Sequence, residues 1–396
     1  MFSRRVPADQ RSNRLSKALE ERRVSGAQVL DLTESNPTRC GLLYDTQGIA
    51  RALSLPSSFL YEPHPQGLPA AREAVSQYYR ETGFAAHTDS LFLTSSTSEA
   101  YAYLFKLLAD PGGEVLVPTP GYPLLHVLTR LEAVRVVPYR MLYEDSRGWW
   151  IDIERLRATV STRTVAIAVV SPNNPTGSFL KESELAEIGL LCRDFGLALI
   201  VDEVFSDFPS AGWRLAEEGV ARSAAGYGEA LTFVLSGISK ILGLPQMKLS
   251  WIHVNGPEPL RRQAIERLAF IADAFLSVST PVQQAAAGLL AQRPRIQGQI
   301  LSRLEENSGT LERLLGGGGH CRPLMREGGW YAVLRLAEAS SEEETALALL
   351  AEDGVHVHPG YFYDFPSGEH LVVSLLTAPV VFREGVERLA ARLQEA

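Results

Sequence analysis

Between about residues 89 and 254 the chain repeats one pattern, a short β-branched or apolar run followed by a longer stretch of helical periodicity. The runs are 114–117, 164–170, 198–201, 231–235 and 249–254. Near-continuous apolar runs belong to strands buried on both faces, and strands joined through helices run parallel. The alternation therefore predicts an α/β fold: a largely parallel sheet sandwiched by helices, with a ligand site at the strand ends. Helical patterns fall between the strands at 99–108, with hydroxyls at 96–98 as candidate caps, and at 182–195.

After Ser279-Thr280-Pro281 the pattern changes. One long helical stretch runs to about residue 315 and is followed by Gly316 to Gly319, strand-like 330–336, a helix, short runs at 355–358 and 371–375, and a last helix. This reads as a separate α+β unit. The four glycines follow a helix, with no strand before them and no lysine after, so they read as a turn between elements rather than a phosphate loop. A chain of 396 residues exceeds one ordinary core. We expect a division into an N-terminal arm at 1–45 that joins the small domain, a large domain at 46–280 and a small α+β domain at 281–396.

An apolar share of 45% with 21% charged residues is that of a globular protein. No apolar run approaches the roughly 18 residues of a membrane helix. The first residues are basic and amphipathic, without the apolar core of a secretory signal, so a cytoplasmic location is expected. A net charge of -8 without a basic cluster argues against nucleic acid or an anionic membrane as partner. Cys40, Cys192 and Cys321 are far apart, with no C-x-x-C pair and no histidine at metal-ligand spacing, and read as reduced and structural. Small-molecule chemistry is the class that remains.

Lys240 lies in a loop of small residues directly after the apolar run 231–235. An isolated loop lysine is ordinarily solvated, but Ser239 beside it and Lys248 eight residues on would hold an anion. Asp202 ends the run 197–201; a carboxylate buried there requires a partner, while the alternative is a helix cap with Glu203 as a solvated neighbour. Ser171-Pro172-Asn173-Asn174-Pro175-Thr176-Gly177 follows the run 164–170 and is either a ligand loop or an ordinary turn. Thr94-Ser95-Ser96-Thr97-Ser98-Glu99 opens a helix, where it either holds a phosphate or only caps the end. Tyr122, in Pro120-Gly121-Tyr122-Pro123, stacks on a ring or simply packs. Pyridoxal 5'-phosphate (PLP) needs a lysine for its Schiff base, an acid at the ring nitrogen, phosphate donors and a flat group over the ring, and one candidate exists for each.

Read in order, Tyr61-Glu62-Pro63-His64-Pro65-Gln66-Gly67, the hydroxyls at 96–98, Gly121-Tyr122-Pro123, Asn173 to Gly177, Asp202-Glu203, and Ser239-Lys240 with Lys248 resemble the class I/II (fold type I) PLP-dependent aminotransferases over nearly the whole chain. The resemblance implies a large PLP-binding domain with a mostly parallel seven-stranded sheet and a smaller α+β domain. It implies an enzyme that moves an amino group between an amino donor and a keto or aldehyde acceptor through a Schiff base on Lys240, which also shuttles the proton. Asp202 would pair with the ring nitrogen and Asn174 would donate to the phenolic oxygen. Thr97, Ser98, Ser239 and Lys248 would bind the phosphate, the last where the family more often has arginine. Tyr122 would stack on the ring. Tyr61 would reach the phosphate of a neighbouring subunit, so a homodimer is implied.

Two departures bear on function. Phe205 stands where the family usually has a tyrosine that helps hold the phenolic oxygen; losing that donor should raise the pKa of the Schiff base. Val372, in Leu371-Val372-Val373-Ser374, stands where an arginine usually pairs with the substrate α-carboxylate. Either another cation takes over, with Arg39 and Arg335 the candidates, or the substrate is atypical and lacks that carboxylate. His356 and His358 fall on one face of a short run. With no third ligand in view we assign no metal, and His358 or Tyr361 reads as substrate contact or rim packing. A PLP-dependent C–S (β-elimination) lyase is the alternative enzyme. A non-catalytic PLP-binding regulator carries an added DNA-binding unit, for which the roughly thirty residues before Asp31 leave no room.

Overall fold

The computed structural model describes residues 2–7, 11–213, 219–317, 319–337 and 341–395. Its centre is built by strands with no polar face. Every residue of Ala198–Asp202 and Thr232–Gly237 is buried, and all but one of Thr164–Val170. Alternate side chains serve opposite cores. Ala166, Ala168, Ala198, Ile200, Phe233 and Leu235 pack with Leu104, Phe105 and Leu268 of helices Thr97–Leu108 and Glu258–Asp273. Ile167, Val169, Leu199, Val201 and Val234 pack with Leu156, Ile188 and Leu191 of helices Ile153–Thr159 and Glu182–Phe195. Burial on both faces explains why these strands read as unbroken apolar runs.

The sheet order is Leu91–Thr94, Ser250–Asn255, Thr232–Gly237, Ala198–Asp202, Thr164–Val170, Glu114–Thr119, Arg135–Glu144 and Gly148–Ile151. The successive strands from Thr232–Gly237 to Arg135–Glu144 pair in parallel. Ser250–Asn255 is antiparallel to both its neighbours. Seven strands match the implied sheet. The eighth, Gly148–Ile151, folds back antiparallel on the far end of Arg135–Glu144, where Gly148 takes a left-handed φ of 78° at the hairpin.

Beyond residue 280 the long helical stretch is two helices, Thr280–Leu290 and Arg293–Leu315. Pro294 divides them, because a proline fits a first helical turn but not an interior. Gly316 and Gly317 form the turn that follows, and Gly318 lies outside the described residues. A small antiparallel sheet runs Cys321–Pro323, Tyr331–Leu336, His370–Ser374, His358–Pro359. The run at 355–358 divides between two sheets. Val355–His356 pairs in parallel with Leu30–Asp31 near the N-terminus, whereas His358–Pro359 pairs with His370–Ser374. The His356 ring accordingly meets Asp31, its Nδ1 3.1 Å from Oδ1. Leu30 and Leu32 bury with Phe382, Val386 and Leu389 of helix Pro379–Glu395 in one core that also takes in Phe205 and Trp330. Among the described residues no helix is long and apolar enough to cross a membrane.

The N-terminal segment is thus docked by close packing, and a Cβ on Gly385 would come within 2.7 Å of the Leu32 side chain. Gly385→Leu should cost about 1–3 kcal/mol through overpacking. We expect a lower thermal midpoint together with faster proteolytic cleavage ahead of residue 32; an unchanged cleavage pattern would show that this contact does not hold the segment.

Candidate active site

The parallel sheet sends its carboxyl ends to one edge, and the site is assembled there. Asp202 is the last residue of its strand, in register with Leu235 of the adjacent strand, which leads through Gly237 into the short helix Ile238–Ile241 that carries Lys240. Asn174 follows Thr164–Val170 on the other side of Asp202. Thr97 and Ser98 open the helix Thr97–Leu108, capped by Ser96, whose Oγ accepts from the Glu99 N–H at 3.1 Å. With Tyr122 and Ser239 these side chains line one cavity.

Both charged groups are taken from water by the fold. Burial pushes the Lys240 ammonium down to about 8, with Asp202 opposing the shift. Burial pushes the Asp202 carboxyl up to about 6, against the Val204 N–H that donates to Oδ1 at 3.1 Å and against the charge of Lys240. Trp330 and Phe205 close over the lysine, with Nζ 4.9 Å and 5.4 Å from their ring centroids. Glu203 is not a solvated neighbour of Asp202. It is buried and accepts from the Ala224 N–H at 2.6 Å and the Ser223 hydroxyl at 2.7 Å.

Not every sequence candidate comes to this cavity. Lys248 is exposed, in a left-handed backbone conformation, and does not line it. Tyr61 is 74% exposed and sits at a separate depression with His64 and Tyr103. Arg39 is exposed on the turn Pro37–Arg39, and Arg335 lines a neighbouring cavity. Val372 is 1% exposed and packed with Met141, Trp149, Val333 and Tyr363. His358 points its Nδ1 to the Tyr363 hydroxyl at 3.0 Å. Conversely, Ser35, Tyr101 and Tyr331 line the cavity without having been singled out. Tyr101 had a signal, since it lies three and four residues after Ser98 and Thr97 on one helix face. Ser35 and Tyr331 had none, because only long-range packing brings them in.

The residues fit PLP. Asn174 Oδ1, in the cavity lining, and Ser236 Oγ, just before Gly237, are buried polar atoms without a hydrogen-bond partner among the described residues, which calls for a polar ligand. The opened helix end at Thr97 and Ser98 suits a phosphate, and Asp202 suits a protonated ring nitrogen.

Known proteins agree with this geometry. The family model described as "Aminotransferase class I and II" matches residues 30–389. The glutamate-pyruvate aminotransferase AlaA of Haemophilus influenzae is 27% identical over 380 residues, covering 93% of this chain and 92% of that protein. The alanine aminotransferase of Mycobacterium tuberculosis is 27% identical, covering 98% and 89%. In fold, the alanine aminotransferase from Pyrococcus furiosus superposes with a TM-score of 0.85 at 22% identity, covering 98% of this chain and 100% of that one. The chain is an aminotransferase with PLP as its cofactor, and it belongs to the class I and II aminotransferase family.

Proposed function

We propose that Lys240 is the residue that holds PLP covalently and moves the proton during amino transfer between an amino donor and a keto or aldehyde acceptor. The observation that carries this is the buried Lys240 beside Asp202 at adjacent strand ends, each with its pKa displaced toward neutrality. When bound, PLP supplies an electron sink conjugated to the substrate's reacting carbon. Asp202 keeps the ring nitrogen protonated. Asn174 donates to the phenolic oxygen, and Tyr122 covers the ring. Thr97, Ser98 and Ser239 bind the phosphate, with Lys248 adding charge from the rim. Trp330 and Phe205 exclude water from Nζ, so that the amine is neutral often enough near pH 8 to accept a proton.

Tyr61 completes the phosphate site of a second subunit in a homodimer. The run Phe59, Leu60, Tyr61, which is 88%, 62% and 74% exposed, supports an interface there. On the substrate side, Ser35, Tyr122 and Tyr331 present hydroxyls, and among the described residues the cavity's only cation is Lys240. The donor is therefore atypical: the names of the alanine and glutamate-pyruvate relatives do not carry over, because Val372 offers a carboxylate no ion pair.

Three outcomes test this reading. Lys240→Ala should abolish the visible absorbance of the holoenzyme, and Asp202→Asn should lower turnover by about 10²-fold or more. Full turnover by Lys240→Ala would end the assignment. With a panel of amino acids and simple amines and no keto acid, donors lacking an α-carboxylate should convert the cofactor faster than alanine or glutamate. Pyruvate and ammonia released without a keto acid would instead indicate elimination. Third, the rate of the half-reaction that starts from the amine form of the cofactor and a carbonyl acceptor should rise with pH through about 8, where Lys240 loses its proton.

The buried pair also has a stability signature in the cofactor-free protein. Asp202, raised to about 6, stabilises the fold only while protonated, a contribution lost as pH rises through 6. Lys240, lowered to about 8, imposes its cost below 8, and that cost is relieved as pH rises toward the ordinary lysine value. Both costs are present between pH 6 and 8. Lys240→Met with Asp202→Asn should stabilise the cofactor-free protein by about 1–4 kcal/mol in that window. Urea unfolding at pH 7 and pH 10 should show the gain shrinking at the higher pH.

A further inference from the structure

A second cavity lies between the hairpin formed by Arg135–Glu144 with Gly148–Ile151 and the strands Tyr331–Leu336 and His370–Ser374 of the small sheet. Met141 and Trp149 form one wall and pack in turn on Val372 and Tyr363. This cavity is lined by Arg335 and by the exposed Arg140, whereas among the described residues no arginine lines the Lys240 pocket.

Its lining has hydrogen-bonding capacity that the chain leaves unused. Trp149 is 5% exposed, yet its indole Nε1 has no hydrogen-bond partner among the described residues. Buried N–H groups of this kind cost free energy unless a ligand or water meets them. Burial, with the charge of Arg335, pushes the His370 pKa down to about 4 against a hydrogen bond to the Gly368 backbone, so the buried ring is neutral and adds no positive charge to the wall. Arg335 makes no ion pair among the described residues. Its guanidinium rests 5.1 Å from the Tyr143 ring centroid, while nearby Asp145 is held by Arg322 at 2.8 Å. The walls are aromatic, and Phe365 stacks on His370 with centroids 4.2 Å apart. Glu144, exposed at the rim, disfavours ligands carrying more than one negative charge.

We propose that this cavity binds a small aromatic monocarboxylate, its carboxylate on Arg335 with the Trp149 N–H, and its ring against the aromatic wall. The assignment stands on these residues and not on the chemistry at Lys240. The acid is either a free ligand or the far end of a long substrate whose reacting group lies at Lys240.

Calorimetric titration of the holoenzyme with indole-3-acetate, and with indole-3-acetamide as its neutral counterpart, tests the idea. The acid should bind saturably, one per chain, and the amide about tenfold more weakly. Arg335→Gln, with an unchanged thermal midpoint, should reduce the acid to the affinity of the amide, and Arg335→Lys should restore part of it. Repeating the titration with aminooxyacetate, which occupies the Lys240 pocket through the cofactor's carbonyl carbon, separates the sources. Retained binding identifies a free ligand's own site, and competition that still depends on Arg335 identifies the end of a substrate. Equal affinity for acid and amide, indifference to Arg335→Gln, or no saturable binding of the acid would overturn the proposal.

Discussion

Taking one ammonium and one carboxylate out of water at the ends of two neighbouring strands is the constraint around which the remaining structure is arranged. Burial acts against both charges, lowering Lys240 toward 8 and raising Asp202 toward 6. Their mutual attraction offsets only part of that cost, as is usual for buried ion pairs. A fold tolerates such a pair where the surrounding core is large and a ligand completes the polar contacts. Here the apolar strands on either side supply the core, and the unpartnered Asn174 Oδ1 is a contact that a polar ligand can complete. Stability is thereby exchanged for a lysine that titrates near neutral pH.

The sheet makes this placement possible because its strands are parallel. In a parallel array the loops at one edge all follow carboxyl ends, so Asn174, Asp202 and Lys240 arrive together although 66 residues separate the first from the last. The lid over the lysine comes from farther away. Trp330 belongs to the C-terminal portion yet shares one core with Phe205, Leu32 and Phe382. The packing that docks the N-terminal segment is therefore continuous with the packing that keeps water from Lys240, and loosening one should be felt at the other.

What the sequence made legible was local. Runs buried on both faces announced the central strands, and Asp202 and Lys240 stood out because one ends such a run and the other closely follows one. The motifs at 96–98, 121–123 and 173–177 carried the resemblance because each is a short loop whose chemistry is contained in consecutive residues. Tyr331 and Ser35 were not legible, since their place in the cavity depends on how the small sheet and the N-terminal segment dock. The hairpin strand Gly148–Ile151 was missed for a related reason: four residues give too short a period to read, and only the left-handed Gly148 marks the reversal. Pro294 was in plain view, yet its effect was underestimated, because a helical pattern that continues on both sides of a proline conceals the break.

Arg335 and Val372 show how far a single motif position can be taken. The resemblance implied an arginine where this chain has Val372, with Arg39 and Arg335 as candidate substitutes, and Val372 and Arg335 are neighbours in the fold. Val372 pairs with Val333, two residues before Arg335 on the same strand, and packs in one layer with Met141, Trp149 and Tyr363. A guanidinium at Val372 would have to displace that layer, whose members are almost fully buried. The apolar substitution is thus supported by a set of contacts rather than by one side chain. Restoring an arginine at position 372 alone would bury an unpaired charge among apolar groups, which costs several kcal/mol. On the proposed reading, donor specificity is then a property of the whole wall, with the hydroxyls of Ser35, Tyr122 and Tyr331 facing the donor.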